Sequence, residues 1–172
     1  NLSYLSIQNN PEQSSTKFLN EFKSPDRIRE IAEINGELYL MGSKNLWRFN
    51  PNTGLLTSLF NCSQFQWMYE KNGLIWFFEP YGSVYTYHPS HSLPTKTNII
   101  AKADCVRKYS NVIYYHIMGE GFAMIDERGQ AQTLTSKSPI IPYTLNFEVI
   151  ENKLIIQNAN QYDVYIINPK KS

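Results

Sequence analysis

The chain has 172 residues, about the length of one domain, and hydrophobic residues make up 42% of it, enough to form a core. Aromatic residues reach 14%, a share that suits β-sheets. Sixteen Lys and Arg against fifteen Asp and Glu give a net charge of +1, so no strong positive field attracts nucleic acid and no nucleic-acid partner is predicted. No stretch approaches the roughly eighteen consecutive apolar residues of a membrane span, so we predict no membrane-spanning segment within this chain.

The predicted elements are short strands. After strands at 3–7 and 17–22, two strands flank Asn35-Gly36, a pair that tolerates the positive φ of a tight hairpin turn. Two more flank the Asn50–Gly54 turn, where Pro and Gly favour the reversal. The same order of strands then returns three times. In chain order the strands from the first hairpin onward are predicted at 28–34, 37–42, 46–50, 55–60, 65–70, 74–79, 84–89, 105–109, 112–118, 122–129, 130–135, 147–151, 153–158 and 163–169.

Two markers give the repeat a period. The turn asparagines Asn35, Asn72, Asn111 and Asn152 are 37, 39 and 41 residues apart. A second marker ends the third strand of each unit, as a small polar residue or His followed by Pro or Glu. It occurs at Asn10-Pro11, Asn50-Pro51, His88-Pro89, Asp126-Glu127 and Asn168-Pro169. Two markers with the same spacing predict a repeated unit of about forty residues.

A repeated antiparallel four-stranded unit predicts an all-β protein of the β-propeller type, because each sheet buries its faces against its neighbours. We expect one domain with four blades. The repeats are predicted at approximately 28–64, 65–104, 105–145, and 146–172 completed by 1–27. The strand count leaves two alternatives open: an arc of a larger propeller, or a β-sandwich.

The turn Asn35-Gly36, the strand LYLMG and the segment LWRFNPNTG resemble blades of the kelch and two-component-regulator propeller families. The resemblance spans nearly the whole chain through its strand pattern. It departs from kelch where that family has paired glycines, since Met41-Gly42 and Glu79-Pro80 stand there. The resemblance therefore implies the fold, which hosts enzymes, sensors and adaptors alike.

No catalytic motif is present: there is no G-x-S-x-G elbow, no phosphate-binding glycine-rich loop and no H-E-x-x-H motif. The sequence predicts no enzyme and no cofactor. His88 and His91 have a spacing that could bring two imidazoles to one metal, but the turn lacks Cys or carboxylate ligands, so we predict surface histidines and no metal site. His116 lies in a strand, where packing or a hydrogen bond is expected.

Cys62 and Cys105 occupy similar places in adjacent repeats, near the start of a first strand. The sequence leaves two interpretations open. One is a disulfide between neighbouring blades, which needs Cα atoms within about 7 Å and an oxidising compartment. The other is a pair of buried thiols.

In a propeller, the loops between second and third strands emerge on the same face as the connections between blades, and such loops commonly bind ligands. The residues predicted to contact a ligand or partner on this face are Lys44, Gln64, Glu79, Tyr81, Asp104, Glu120, Tyr143 and Gln161.

The sequence therefore predicts a non-enzymatic, monomeric domain that binds a small ligand or a protein. The regulator-propeller resemblance, a first residue other than Met and the lack of a catalytic motif favour an extracytoplasmic sensor or interaction module of a bacterial regulator. Two alternatives are a carbohydrate-binding or carbohydrate-active propeller and a structural part of a larger propeller.

Overall fold

Fifteen strands build the part of the chain that the computed structural model describes, namely residues 26–117, 120–134, 144–150, 153–158 and 162–166. They form four antiparallel sheets in which consecutive strands are neighbours. Sheet 1 contains β1 (Glu30–Ile34), β2 (Glu37–Met41), β3 (Asn45–Asn50) and β4 (Leu55–Asn61). Sheet 2 contains β5 (Trp67–Lys71), β6 (Leu74–Phe78), β7 (Ser83–Tyr87) and β8 (Thr95–Ile100). Sheet 3 contains β9 (Ala103–Tyr109), β10 (Val112–Ile117), β11 (Gly121–Ile125) and β12 (Ala131–Thr133). Sheet 4 contains β13 (Thr144–Ile150), β14 (Lys153–Asn158) and β15 (Tyr162–Ile166).

The predicted all-β class is confirmed. Over the described ranges, no helix is long and apolar enough to cross a membrane. The strands predicted at 3–7 and 17–22, with the turn residue Asn152, lie outside the described residues. The division of the chain into one domain of four repeats stays a prediction.

Two hairpin turns form as the sequence predicts. Asn35 and Gly36 have φ values of 53° and 79°, and Asn72 and Gly73 have 56° and 72°. In both turns a glutamate two residues before the asparagine accepts a hydrogen bond from the glycine N–H, at 2.8 Å in the first and 3.1 Å in the second. The turns are thus fixed by local chemistry, which is why their positions can be read from the sequence.

Apolar layers lie between consecutive sheets. In sheet 2, Met68 and Phe77 contribute to the cluster shared with sheet 1, whereas Trp76 and Phe78 contribute to the cluster shared with sheet 3. A third cluster joins sheet 3 to sheet 4 through residues such as Phe122. Because successive residues of a strand point to opposite faces, a sheet with neighbours on both sides needs runs of hydrophobic residues, as in LIWFF.

Aromatic rings fill the layer between sheets 1 and 2. Phe77 is fully buried, and its ring centroid lies 4.7 Å from that of Phe65 and 6.0 Å from that of Phe60. Tyr87 approaches Phe60 edge-on at 5.1 Å. Interlocked rings of this kind fix the spacing of the two sheets as well as burying apolar area.

The two cysteines do not form a disulfide; both are free and buried, so the disulfide interpretation is wrong. Cys62 belongs to the layer between sheets 1 and 2, and its Sγ–H donates to the Gly42 carbonyl at 3.7 Å. Cys105 belongs to the layer between sheets 3 and 4, and its Sγ–H donates to Asn146 Oδ1 at 3.8 Å. The two thiols lie in different layers, and sheets 2 and 3 lie between those layers.

Candidate functional site

One end of the sheets carries most of the predicted binding residues, and we call it the loop edge. In these antiparallel sheets, the connections between second and third strands lie at the same end as the connections between sheets. Asp104 is at this end but in a strand rather than a connection, as the second residue of β9. Predicted residues at the loop edge are Lys44, Gln64, Glu79, Tyr81, Asp104 and Glu120, while Tyr143 and Gln161 lie outside the described residues.

Tyr81 is an exposed ring on a constrained loop. Tyr81 is 59% exposed, and its φ of 53° is a left-handed conformation that non-glycine residues rarely adopt. Tyr81 N–H donates to the Ala103 carbonyl at 3.1 Å. The Ala101 and Lys102 N–H groups donate to the Gly82 carbonyl at 3.0 and 3.1 Å, and Lys102 also has a positive φ, 45°. These bonds tie the Tyr81 loop to the connection that leads into β9.

Glu79 serves the loop itself. Its Oε2 accepts a hydrogen bond from Ser83 N–H at 3.1 Å, and its carbonyl accepts one from Gly82 N–H at 3.2 Å. A Cβ at Gly82 would lie 2.8 Å from Glu79 Oε2, so glycine is needed for this close approach. Glu79 therefore helps to hold Tyr81 in position, and its contact with a ligand stays a prediction.

Asp104 and His116 form a hydrogen-bonded pair at the start of sheet 3. The register of β9 with β10 shifts here: His116 is opposite Cys105, and Ile117 is opposite Ala103. Asp104 is the extra residue of this β-bulge, and a bulge redirects a side chain. The Nδ1–H of His116 donates to Asp104 Oδ1 at 2.7 Å. The bulge thus turns the Asp104 carboxylate towards His116, a direction that a regular strand would not give it.

His116 is more deeply buried than its partner. Its side chain is 1% exposed, against 12% for Asp104, and its ring centroid lies 4.8 Å from that of Phe122. Its Nε2 has no hydrogen-bond partner within the described part of the chain. A buried polar atom without a partner costs on the order of 1–3 kcal/mol, so packing alone does not account for histidine at this position.

Glu120 completes the group. It is exposed in the turn between β10 and β11, and its N–H donates to the Ile117 carbonyl at 3.0 Å, next to His116. The bond from Tyr81 N–H to the Ala103 carbonyl places the Tyr81 main chain beside the residue that precedes Asp104. We call Tyr81, Asp104, His116 and Glu120 the loop-edge site.

Lys44 and Gln64 are exposed residues of a separate region, beside sheet 1. The carboxylate of Asp26 accepts hydrogen bonds from Ser43 Oγ–H and from Lys44 N–H, the latter at 2.7 Å. These hydrogen bonds, of which the one from Ser43 contributes most, lower the pKa of Asp26 to about 2. The Lys44 main chain therefore ties its turn to Asp26.

A second polar cluster lies where the first strands of the sheets approach each other. Arg107 donates from Nε to Glu148 Oε1 at 3.3 Å and from Nη2 to Asn146 Oδ1, joining sheets 3 and 4. Tyr69 O–H donates to the Val106 carbonyl at 2.8 Å, joining sheets 2 and 3. Burial raises the pKa of Tyr69 to about 12. These groups largely satisfy one another, so the cluster acts mainly as a link between sheets.

The sequence did not identify His116 as a site residue, because no sequence pattern predicts the bulge at Asp104. Arg107 was missed for a similar reason, since its partners belong to another sheet. The prediction of surface turn histidines is confirmed: His88 and His91 are exposed, and His88 Nδ1 bonds Ser90 Oγ at 2.7 Å.

No protein-family model matches the chain, and no curated protein matches it. Solved structures do. The computationally designed Ika4 protein has 10% identity and a TM-score of 0.60, covering 85% of this chain and 94% of its own. The extracellular domain of the putative hybrid two component system BT4673 from B. thetaiotaomicron has 16% identity and a TM-score of 0.60, covering 83% of this chain and 21% of its own. The N-terminal domain of Nup159 has 8% identity and a TM-score of 0.61, covering 89% of this chain and 48% of its own.

The chain has a β-propeller fold. Its four sheets are blades, and the layers between them are the contacts between blades. The chain spans about a fifth of the BT4673 domain and about half of the Nup159 domain. At these identities the likeness concerns the fold alone.

Proposed function

We propose that this protein is a non-enzymatic binding domain that takes a small ligand or a protein partner at the loop-edge site. One observation carries the proposal: an exposed ring, Tyr81, is tied by a main-chain hydrogen bond to the strand that bears the Asp104 bulge. An aromatic surface and a carboxylate on one rigid edge can recognise a ligand with an apolar face and a hydrogen-bond donor.

The rigidity of the loop supports this function. Left-handed backbone at a non-glycine residue costs on the order of 1–3 kcal/mol, and Tyr81 and Lys102 both adopt it. The same main-chain bonds that hold them there also fix the direction in which the Tyr81 side chain leaves the backbone. A tyrosine side chain on a constrained backbone has only two χ angles to order when it binds, which favours Tyr as a contact residue.

We also propose that the domain works outside the cytoplasm as a sensor or interaction module. Two structures with the same fold are extracellular domains of BT4673, which supports the proposal, although the fold is shared with the N-terminal domain of Nup159. Fractionation of the native host cells with an antibody to this domain tests the location. Recovery with the cytoplasmic fraction would exclude it.

A thermal-shift screen tests the binding function. Sugars, amino acids, nucleosides and organic acids are added singly at millimolar concentration to the wild-type protein. A ligand at about 100 times its Kd stabilises the folded state by about 2.7 kcal/mol, which raises Tm measurably. Each compound that raises Tm is then tested on Tyr81→Ala.

Tyr109→Ala is the matched control, because Tyr109 is also an exposed tyrosine, 38% exposed, but lies at the opposite end of sheet 3. We expect ligand-induced stabilisation in the wild type and in Tyr109→Ala, and little or none in Tyr81→Ala. Equal stabilisation of all three proteins would show that the loop-edge site does not bind the compound.

A second candidate is a structural role as one part of a larger propeller, which the alignment with about half of the Nup159 domain favours. This role predicts concentration-dependent self-association through unpaired blade faces. Sedimentation equilibrium that fits a single monomer up to millimolar concentration would argue against it.

A further inference from the structure

We propose that the loop-edge site binds a neutral saccharide, with Tyr81 as the stacking surface, Asp104 as a hydrogen-bond acceptor and His116 as the residue that positions Asp104. This inference deepens the proposed function and depends on it. It rests on the donor and acceptor groups that the described residues offer at this edge.

The polar side chains of the site are mainly acceptors. Asp104 uses Oδ1 for the hydrogen bond from His116, which leaves Oδ2 for a second donor. Glu120 is exposed and adds another carboxylate. Carboxylates accept hydrogen bonds and donate none, so the matching ligand must be rich in donors. Hydroxyl groups and ammonium groups both meet that requirement.

The ring of Tyr81 favours a hydroxyl-bearing ring over a simple polar chain. A pyranose has a face of C–H groups that can pack on an aromatic face and bury apolar area, while its hydroxyls stay at the edge for hydrogen bonds. Tyr81 is exposed and fixed by its main-chain bonds, so its ring is available for such packing.

The charges of the site favour a neutral ligand. Two carboxylates, Asp104 and Glu120, oppose the binding of an anion. The exposed ammonium group of Lys102, two residues before Asp104, partly offsets their field and weakens the attraction for a cation. A saccharide without charge matches this arrangement better than an acidic sugar or a basic peptide.

His116 has features of a residue retained for position rather than for stability. It is buried against Phe122, where an apolar side chain would pack at least as well, and its Nε2 has no partner among the described residues. Its Nδ1–H donates the hydrogen bond to Asp104. The His116 side chain therefore acts through Asp104, because an apolar residue in its place would leave the carboxylate without this donor.

The binding test uses methyl α-glucoside, methyl α-galactoside and methyl α-mannoside as probes, with methyl glucuronide and tri-lysine as charged comparisons. Affinity is measured by NMR titration of the wild type. Tyr81→Ala should weaken binding of the glycoside by at least about tenfold. Asp104→Asn should weaken it by about tenfold to a hundredfold, the worth of a hydrogen bond to a charged acceptor. Tyr109→Ala should leave it unchanged.

The test of His116 compares binding with stability. In His116→Phe and His116→Leu, the apolar packing is kept but Asp104 loses its donor, so affinity should fall as in Asp104→Asn. In His116→Asn, the side-chain amide can replace the Nδ1–H donor, so affinity should stay within about threefold of the wild type. A purely structural residue would instead lower Tm in the apolar variants and leave the affinity of the folded protein unchanged. Unchanged affinity in both apolar variants would overturn the positioning role.

The ligand class is decided separately. Binding of tri-lysine or the glucuronide in preference to the neutral glycosides would overturn the saccharide assignment. The saccharide assignment would also be overturned if the wild type binds no glycoside but another compound of the thermal-shift screen stabilises it in a Tyr81-dependent way. In that case the proposed binding function stands. If neither assay detects Tyr81-dependent binding, both the saccharide and the proposed binding of a small ligand at this site are wrong.

Discussion

The Cys62 thiol should make the protein less stable in alkaline solution, because it is held protonated by burial. Its residue is 0% exposed, and burial raises the pKa of Cys62 from 9.0 to about 11. The unfolded chain releases this proton above pH 9, whereas the folded chain keeps it. The folded state therefore binds more protons between pH 9 and 11, and the free energy of unfolding falls as the pH rises through that range.

The magnitude follows from the two pKa values. Each tenfold difference in proton affinity is worth about 1.36 kcal/mol, so the full effect is about 2.7 kcal/mol. At pH 10 the unfolded thiol is largely ionised and the folded thiol largely protonated, which gives about 1.4 kcal/mol of the loss. This contribution is fully present below pH 9 and is gone once the pH exceeds the folded value.

Urea unfolding at pH 8 and pH 10 measures this effect in the wild type and in Cys62→Ala. The variant lacks the thiol but keeps the tyrosines and lysines that titrate in the same range, so their effects cancel in the difference. We expect the stability advantage of the wild type over Cys62→Ala to shrink by about 1.4 kcal/mol between the two pH values. An advantage that stays constant would refute the reasoning. Addition of a reductant should change neither curve, since both cysteines are free.

Three further predictions concern packing, backbone and charge. Phe77→Ala should lower the free energy of unfolding by about 3–5 kcal/mol in urea, because the ring is fully buried between Phe60 and Phe65; a loss below about 1 kcal/mol would contradict the ring contacts. Gly82→Ala should lower Tm and weaken Tyr81-dependent binding, since a Cβ would lie 2.8 Å from Glu79 Oε2; an unchanged Tm would show that the loop can relax. Burial lowers the pKa of Lys71, so the unfolded state binds its proton more readily and stability should rise with pH towards 10.5. Lys71→Met should remove that rise, measured by urea unfolding as the wild-type-minus-variant difference, and a rise that persists in the variant would assign it to another group.

Local features of the fold could be predicted from the sequence because local chemistry decides them. Asn35-Gly36 and Asn72-Gly73 adopt the positive φ values that their side chains tolerate, and the strands on either side follow from alternating or continuous hydrophobic residues. The period of about forty residues then predicts stacked sheets, since each sheet has apolar faces to cover.

Only the tertiary structure decided the site. Cys62 and Cys105 occur in adjacent repeats, yet they lie in separate apolar layers, because Cys62 lies in the connection after β4 whereas Cys105 lies within β9. Asp104 meets His116 through one extra residue in β9, and Tyr81 meets β9 through a main-chain bond from its loop to Ala103. The sequence by itself determined the strands and their repetition, which depend on neighbours along the chain. The site depends on a bulge and on contacts between blades, which no local pattern records.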